Sequence, residues 1–174
     1  MKTFLITCIC LATLIVSAIA EDPAPFTISG LEFKPAADWT SKEPSSNMRA
    51  AELDIKTADD AEPLTAVFYY FGAGQGGSVD ANFQRWLGQF EGEPEQNTED
   101  IAAGDGKISL LHATGTYQVG AMFGPKTPTP DYALLGAVVP GDDAPIFVKL
   151  TGPKDQVEAI KEQFTALISS PFGE

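Results

Sequence analysis

The chain has 174 residues, with 24 Asp and Glu against 11 Lys and Arg, a formal net charge of −13. That balance argues against nucleic acid and anionic membrane surfaces as partners, because phosphates demand a surplus of Lys and Arg. Both cysteines, Cys8 and Cys10, fall within the first 20 residues, so the rest of the chain must fold without a disulfide.

Residues 1–20 read as a secretory signal, with Lys2 as the basic start, an apolar core and an Ala18-Ile19-Ala20 cleavage site. The apolar core is short for a membrane span, and no second long apolar run follows. Neither cysteine sits after that core, where a lipid anchor would need it. The expected folded unit is one domain over residues 21–174, exported to the periplasm or beyond. That length suits a sizeable core.

Residues 26–33 predict a first strand broken at Gly30. Lys34 to Trp39 predicts a turn that tucks Trp39 against the sheet, and residues 42–47 a polar loop. In residues 48–56, Ala51, Leu53 and Ile55 alternate onto one face, which predicts a strand. Its hairpin partner is residues 64–71, across an acidic turn at 58–62.

Residues 67–71 are β-branched or aromatic and bounded by Pro63 and glycines. They read as a central strand buried on both faces. Gly72, Gly74, Gly76 and Gly77 then make a permissive loop. Ser78 is placed to cap the following helix and Asp80 suits its first turn. Val79, Phe83, Trp86, Leu87 and Phe90 share one helical face, ended by Gly92 and Pro94. The loop has the physical form of a phosphate cradle, but neither GxxxxGK[ST] nor GxGxxG is present, so a close-packing turn is the preferred reading.

Residues 91–100 hold five acids and a proline and read as a solvated loop, since the spacing of a calcium loop is absent. Strands are predicted over 107–113, 116–123, 132–139 and 146–150, joined by tight turns into an antiparallel meander. Within it, residues 124–131 carry three prolines and predict a stiff connection. Pro153 opens a single final helix over 154–169, with Val157, Ile160, Phe164, Leu167 and Ile168 on its apolar face.

Candidate chemistry is sparse. His112 is the only histidine. With Ser78 it would make a base and nucleophile, but the GxSxG elbow is missing and Ser78 already has a capping role. One histidine leaves too few ligands for zinc. No catalytic residue, metal ligand or cofactor is expected. The candidate contact residues are Gln75 in the glycine loop, Asn82 and Arg85 on the first helix's flank, and Lys126 in the proline segment. Together they predict a concave contact surface.

The blocks FGAGQGGSVDANFQRWLGQF, GTYQVGAMFGPK, YALLGAVV and FVKLTGPKDQV, with GLEFKPAADWT near the start, resemble a group of small exported bacterial proteins. That group brings no functional residues to carry over. The order of strands, helix, meander and terminal helix, with the turn Pro35-Ala36-Ala37-Asp38-Trp39, also resembles the PsbP/Mog1-type α/β/α sandwich. This resemblance implies an accessory or binding role.

The expected fold class is α+β: one domain with a mainly antiparallel six- or seven-stranded sheet and two packed helices. The expected function is a non-enzymatic exported binding or accessory protein. Its partner would be another exported protein or a small molecule. The alternative is a small secreted hydrolase using Ser78 or a carboxylate pair.

Overall fold

The structure, a computed structural model, describes residues 23–57, 61–120 and 124–173. The predicted signal segment and part of the acidic 58–62 turn lie outside the described residues. No helix among those described is long and apolar enough to cross a membrane.

The broken first strand is a hairpin of its own, β1 (Phe26–Ile28) and β2 (Leu31–Phe33), turning through Ser29 and Gly30 at positive φ. The main sheet holds β3 (Trp39–Lys42), β4 (Ala51–Ile55), β5 (Leu64–Tyr69), β6 (Glu95–Ala103), β7 (Gly106–Val119), β8 (Thr127–Val139) and β9 (Ile146–Pro153). These seven strands run in the order β3-β4-β5-β9-β8-β7-β6, every neighbour antiparallel. Helix α1 (Val79–Leu87) follows β5, and α2 (Lys154–Ala159) and α3 (Lys161–Ser169) follow β9. The fold is α+β, as the sequence predicts.

Strand alternation divides the core in two. One face carries Leu53, Ile55, Ala66, Phe68, Ile108, Leu135, Val148 and Leu150, covered by α2, α3 and the β1–β2 hairpin. Trp39 belongs there, 1% exposed, with its indole N–H donating to Gln163 at 3.1 Å. Burying a large side chain in this way contributes roughly 1.5–3 kcal/mol before entropy. On the other face Phe83, Trp86 and Phe90 pack on Leu111, Ala113, Leu134, Val138 and Phe147. Helix α1 sits over β7 and β8.

Several expectations need correction. The 67–71 run is not buried on both faces: β5 alternates buried with half-buried, and Phe71 beyond its end is 43% exposed. Helix α1 packs over β7 and β8, and Tyr69 of β5 faces an opening beside it. Residues 91–100 are not simply a loop, since Glu95 onward forms edge strand β6. Its charged, exposed side chains read as solvated chain, yet such charges are how an edge is kept from pairing with other molecules. The two strands predicted over 107–123 are one strand, β7, with a register shift between Gly115 and Tyr117. Residues 121–123 lie outside the described residues.

The proline segment is also largely strand. Residues 127–131 belong to β8 but extend past the stretch that pairs with β9, so they pair with β7 alone. A strand with one open side tolerates proline, which has no N–H to offer there. The first helix ends at Gly88, earlier than predicted, and Phe90 instead bridges Tyr117. The final helix is two helices, α2 and α3, broken at Ile160 (φ −110°, ψ 6°).

Candidate functional site

Beside α1 the sheet is left open, and the opening is a cleft of about 780 Å³. Its floor comes from alternation on adjacent strands. Tyr69 pairs with Phe147, and Val67 with Lys149, so Tyr69, Phe147 and Lys149 project on the α1 side. Arg85, Trp86 and Gln89 of α1 form one wall. Met48 and Arg49, from the segment before β4, form another. Tyr117, Gln118, Gly120 and Lys126 come from the β7–β8 end.

Two polar clusters hold these walls. At α1, Ser78 is the N-cap, its hydroxyl accepting from the Ala81 N–H at 3.2 Å. Gly72, Gly74, Gly76 and Gly77 all have positive φ, as the loop's composition implies. Gly76 lies against Phe147, where a β-carbon would fall 2.4 Å from the ring. Asn82, 1% exposed, ties the loop to the helix, its amide donating to the Gly76 carbonyl at 2.8 Å and the Ser78 carbonyl at 2.9 Å. Its side-chain oxygen accepts from the Arg85 guanidinium. At β4, buried Glu52 accepts from the Ser45 N–H at 2.6 Å and the Ser45 hydroxyl at 2.7 Å, and pairs with Arg49 at 3.0 Å. Burial alone would raise this carboxyl, but the bonds from Ser45 and Arg49 hold it below the ordinary range.

At the base of the cleft Lys149 donates to the Gln89 side-chain oxygen and to the Tyr117 hydroxyl at 2.8 Å. Tyr117 in turn donates to Gln89 at 2.6 Å. Burial, then the neighbouring Lys126, Arg85 and Arg49, bring the Lys149 ammonium down to about 8. Burial pushes the Tyr117 hydroxyl up to about 12. Burial likewise raises Tyr69, with Glu52 adding to the rise and Arg49 and Arg85 opposing it.

Of the sequence-predicted contacts, Arg85 and Lys126 line this one cleft. Gln75 is exposed in the glycine loop and does not line it. Asn82 is buried beneath Arg85 and braces it. To the contacts expected from sequence the structure adds Lys149, Tyr117 and Tyr69, and Gln89 from the same flank of α1 as Arg85. The available signal was parity: the only lysine in the IFVKL strand alternates onto the face of Phe147. Ser78 and His112 do not meet. Ser78 caps α1 on one side of the sheet, while His112 faces α2, its Nε2 2.7 Å from a Glu158 carboxylate oxygen.

A smaller cavity of about 300 Å³ lies between α1 and β6–β7. Within it Lys107 and Ser109 both bond Asp100, at 2.6 and 2.8 Å, and Asp80 and Glu99 add two further carboxylates to the lining. No group of three or more His, Cys, Asp or Glu among the described residues is arranged to hold a metal ion.

No protein-family model matches the chain, and no curated protein matches it by sequence. Among solved structures it is similar to LpqN of Mycobacterium tuberculosis, a protein involved in cell envelope biogenesis. The likeness covers 87% of this chain and 84% of LpqN, with a TM-score of 0.50 and 15% identity. At that identity the likeness is one of fold.

Proposed function

We propose that this is an exported binding protein, without catalytic chemistry of its own, that holds a small molecule with an apolar body in the cleft beside α1. The observation that carries the reading is where apolar surface is left uncovered. Among the described residues the exposed large hydrophobics are Met48, 54% exposed, and Phe71, 43% exposed, and both stand on this cleft. Tyr69, Trp86, Tyr117 and Phe147 continue the apolar lining inward. A concave cleft that combines an aromatic lining with convergent polar groups is the usual form of a small-molecule site.

The A-x-A-terminated leader supports export. The shared fold with an envelope-biogenesis protein is compatible with work at the cell envelope, and a PsbP-type scaffold would suit an accessory role; both are analogies of fold.

The test is fluorescence titration of the chain from Glu21 onward with the neutral apolar dye N-phenyl-1-naphthylamine. Saturable one-to-one binding is expected, weakened at least fivefold by Phe71→Ser combined with Met48→Ser. Both side chains are exposed, so the fold should survive their loss. An absence of saturable binding, or equal binding by the double variant, would refute this placement.

A further inference from the structure

The charge of the cleft narrows the ligand class, in an inference that rests on the reading just given. Four of the chain's 11 basic residues, Arg49, Arg85, Lys126 and Lys149, line one cleft in a protein of net charge −13. No carboxylate is among the lining residues. Arg49 is already neutralised by Glu52. The other three have neutral partners among the described residues. Arg85 donates to the Asn82 oxygen, Lys126 to the Gly120 carbonyl at 3.1 Å, and Lys149 to Gln89 and Tyr117.

Like charges gathered around a partly desolvated space repel one another, and the repulsion persists until an anion enters. Burial first, and after it the nearby Lys126, Arg85 and Arg49, depress the Lys149 ammonium. The titratable groups facing it are Lys126, Arg85, Arg49, Tyr69 and Tyr117. Both tyrosines are held protonated through the neutral range, so neither supplies the missing negative charge. Two ammonium groups and a guanidinium fork, with a phenol O–H beside them, are an oxyanion receptor in their donor chemistry.

We propose that the ligand is an amphiphile with an oxyanion head, a carboxylate or a phosphate, seated among Lys149, Arg85 and Lys126, with its apolar body along Tyr69, Phe71 and Phe147. The Arg85 fork gives the head its orientation, because Asn82 fixes the guanidinium from below. The two lysines supply charge without directional demand. The aromatic floor receives a tail that water would otherwise surround.

The test is displacement of N-phenyl-1-naphthylamine at pH 7 and low salt by decanoate, decyl phosphate and decanol, which share one tail and differ in head. At least one anion is expected to displace the dye at a tenfold lower concentration than decanol. That margin is expected to collapse in Lys149→Met and in Arg85→Gln, and to shrink in the unaltered protein as pH rises from 7 to 10. Stronger displacement by decanoate assigns a carboxylate head, and the reverse assigns a phosphate. Equal potency of decanol and both anions, or a margin untouched by the variants, overturns the inference and leaves the binding reading standing. Failure of the dye itself to bind overturns both. Should Lys149→Met not fold, Arg85→Gln and Lys126→Ser, both at the surface of the cleft, decide the matter.

Discussion

Trp86 occupies the space that a side chain on Gly136 would need: two of its ring carbons lie 2.5 Å from where the β-carbon would stand. The indole of α1 therefore rests directly on β8, and the helix axis is set by a missing methyl group on the strand beneath. Glycine in a strand interior ordinarily costs stability relative to alanine, by roughly 0.5–1 kcal/mol. Gly136→Ala should reverse that sign here and destabilise by about 1–3 kcal/mol, because a rigid ring on a packed sheet has nowhere to go. Urea denaturation measures it. Pairing the change with Trp86→Leu should recover part of the loss, a coupling expected of residues in direct contact. Additive costs would show that the ring does not depend on the gap.

Asn82→Ala removes the bonds that join the glycine loop to α1. The Gly76 and Ser78 carbonyls lose their side-chain donor, and Arg85 loses its brace. The expected loss is about 1–3 kcal/mol, for losing part-buried hydrogen bonds of which one goes to a charged group. Ser78→Ala removes only a cap and should cost about 1 kcal/mol. A cap-sized or smaller cost for Asn82→Ala would mean that the loop holds its shape through glycine geometry and the Phe147 contact alone.

Lys149 gives the protein an alkaline stability profile of definite sign. Unfolded, the side chain keeps its proton to the ordinary 10.5; folded, it releases it near 8. Between those values the unfolded state binds more protons, so raising the pH stabilises the fold, by at most about 1.4 kcal/mol per pH unit. The rise should be visible from pH 8 to 10. Above 10 it is opposed, because Tyr117 holds its proton to about 12 when folded, and its unfolded counterpart ionises first. Chemical denaturation at half-unit pH steps tests this, and the slope between 8 and 10 should flatten in Lys149→Met. An unchanged slope in that variant would place its origin elsewhere.

The sequence made the scaffold legible wherever one physical signal acted alone. The Ser78 cap, the Val79, Phe83 and Trp86 face, and the parity of Ala51, Leu53 and Ile55 follow from spacing, and each is present. Trp39 packs in the core as its turn suggested. Sequence and structure part where two signals compete. Glu95 to Asp100 has loop composition but edge-strand geometry. Pro128 and Pro130 look like a connection but lie in a strand open on one side. Of the candidate site, Arg85 and Lys126 were visible as polar candidates, one on the flank of the first helix and one in the proline segment. Lys149 was not, since a lysine within IFVKL reads as the polar flank of a buried strand. Only sheet order, which puts β9 beside β5 and under the edge of α1, turns that flank into the base of a cleft.

Glu52 separates the charge argument from the apolar one. It is 2% exposed, carries Arg49 and fixes the segment that brings Met48 to the mouth of the cleft. Glu52→Gln keeps an oxygen for the Ser45 donors but removes the charge that neutralises Arg49. Stability should fall by about 1–2 kcal/mol, less than for a fully buried pair because Arg49 and Lys42 are partly solvated. The lost stability should also be pH-dependent. The Glu52 carboxyl is held below its usual value in the fold, so its contribution is full above about 4.5 and disappears as pH falls through the folded value; the variant should lack that acid limb. Meanwhile a fourth cation becomes free in the cleft. Decanoate or decyl phosphate should then bind several-fold more tightly to Glu52→Gln than to the unaltered chain, while decanol binding stays level. Tighter binding by a less stable protein is hard to obtain from loosened packing, which would weaken all three ligands together. A uniform weakening would show that Glu52 serves the cleft only by holding its wall.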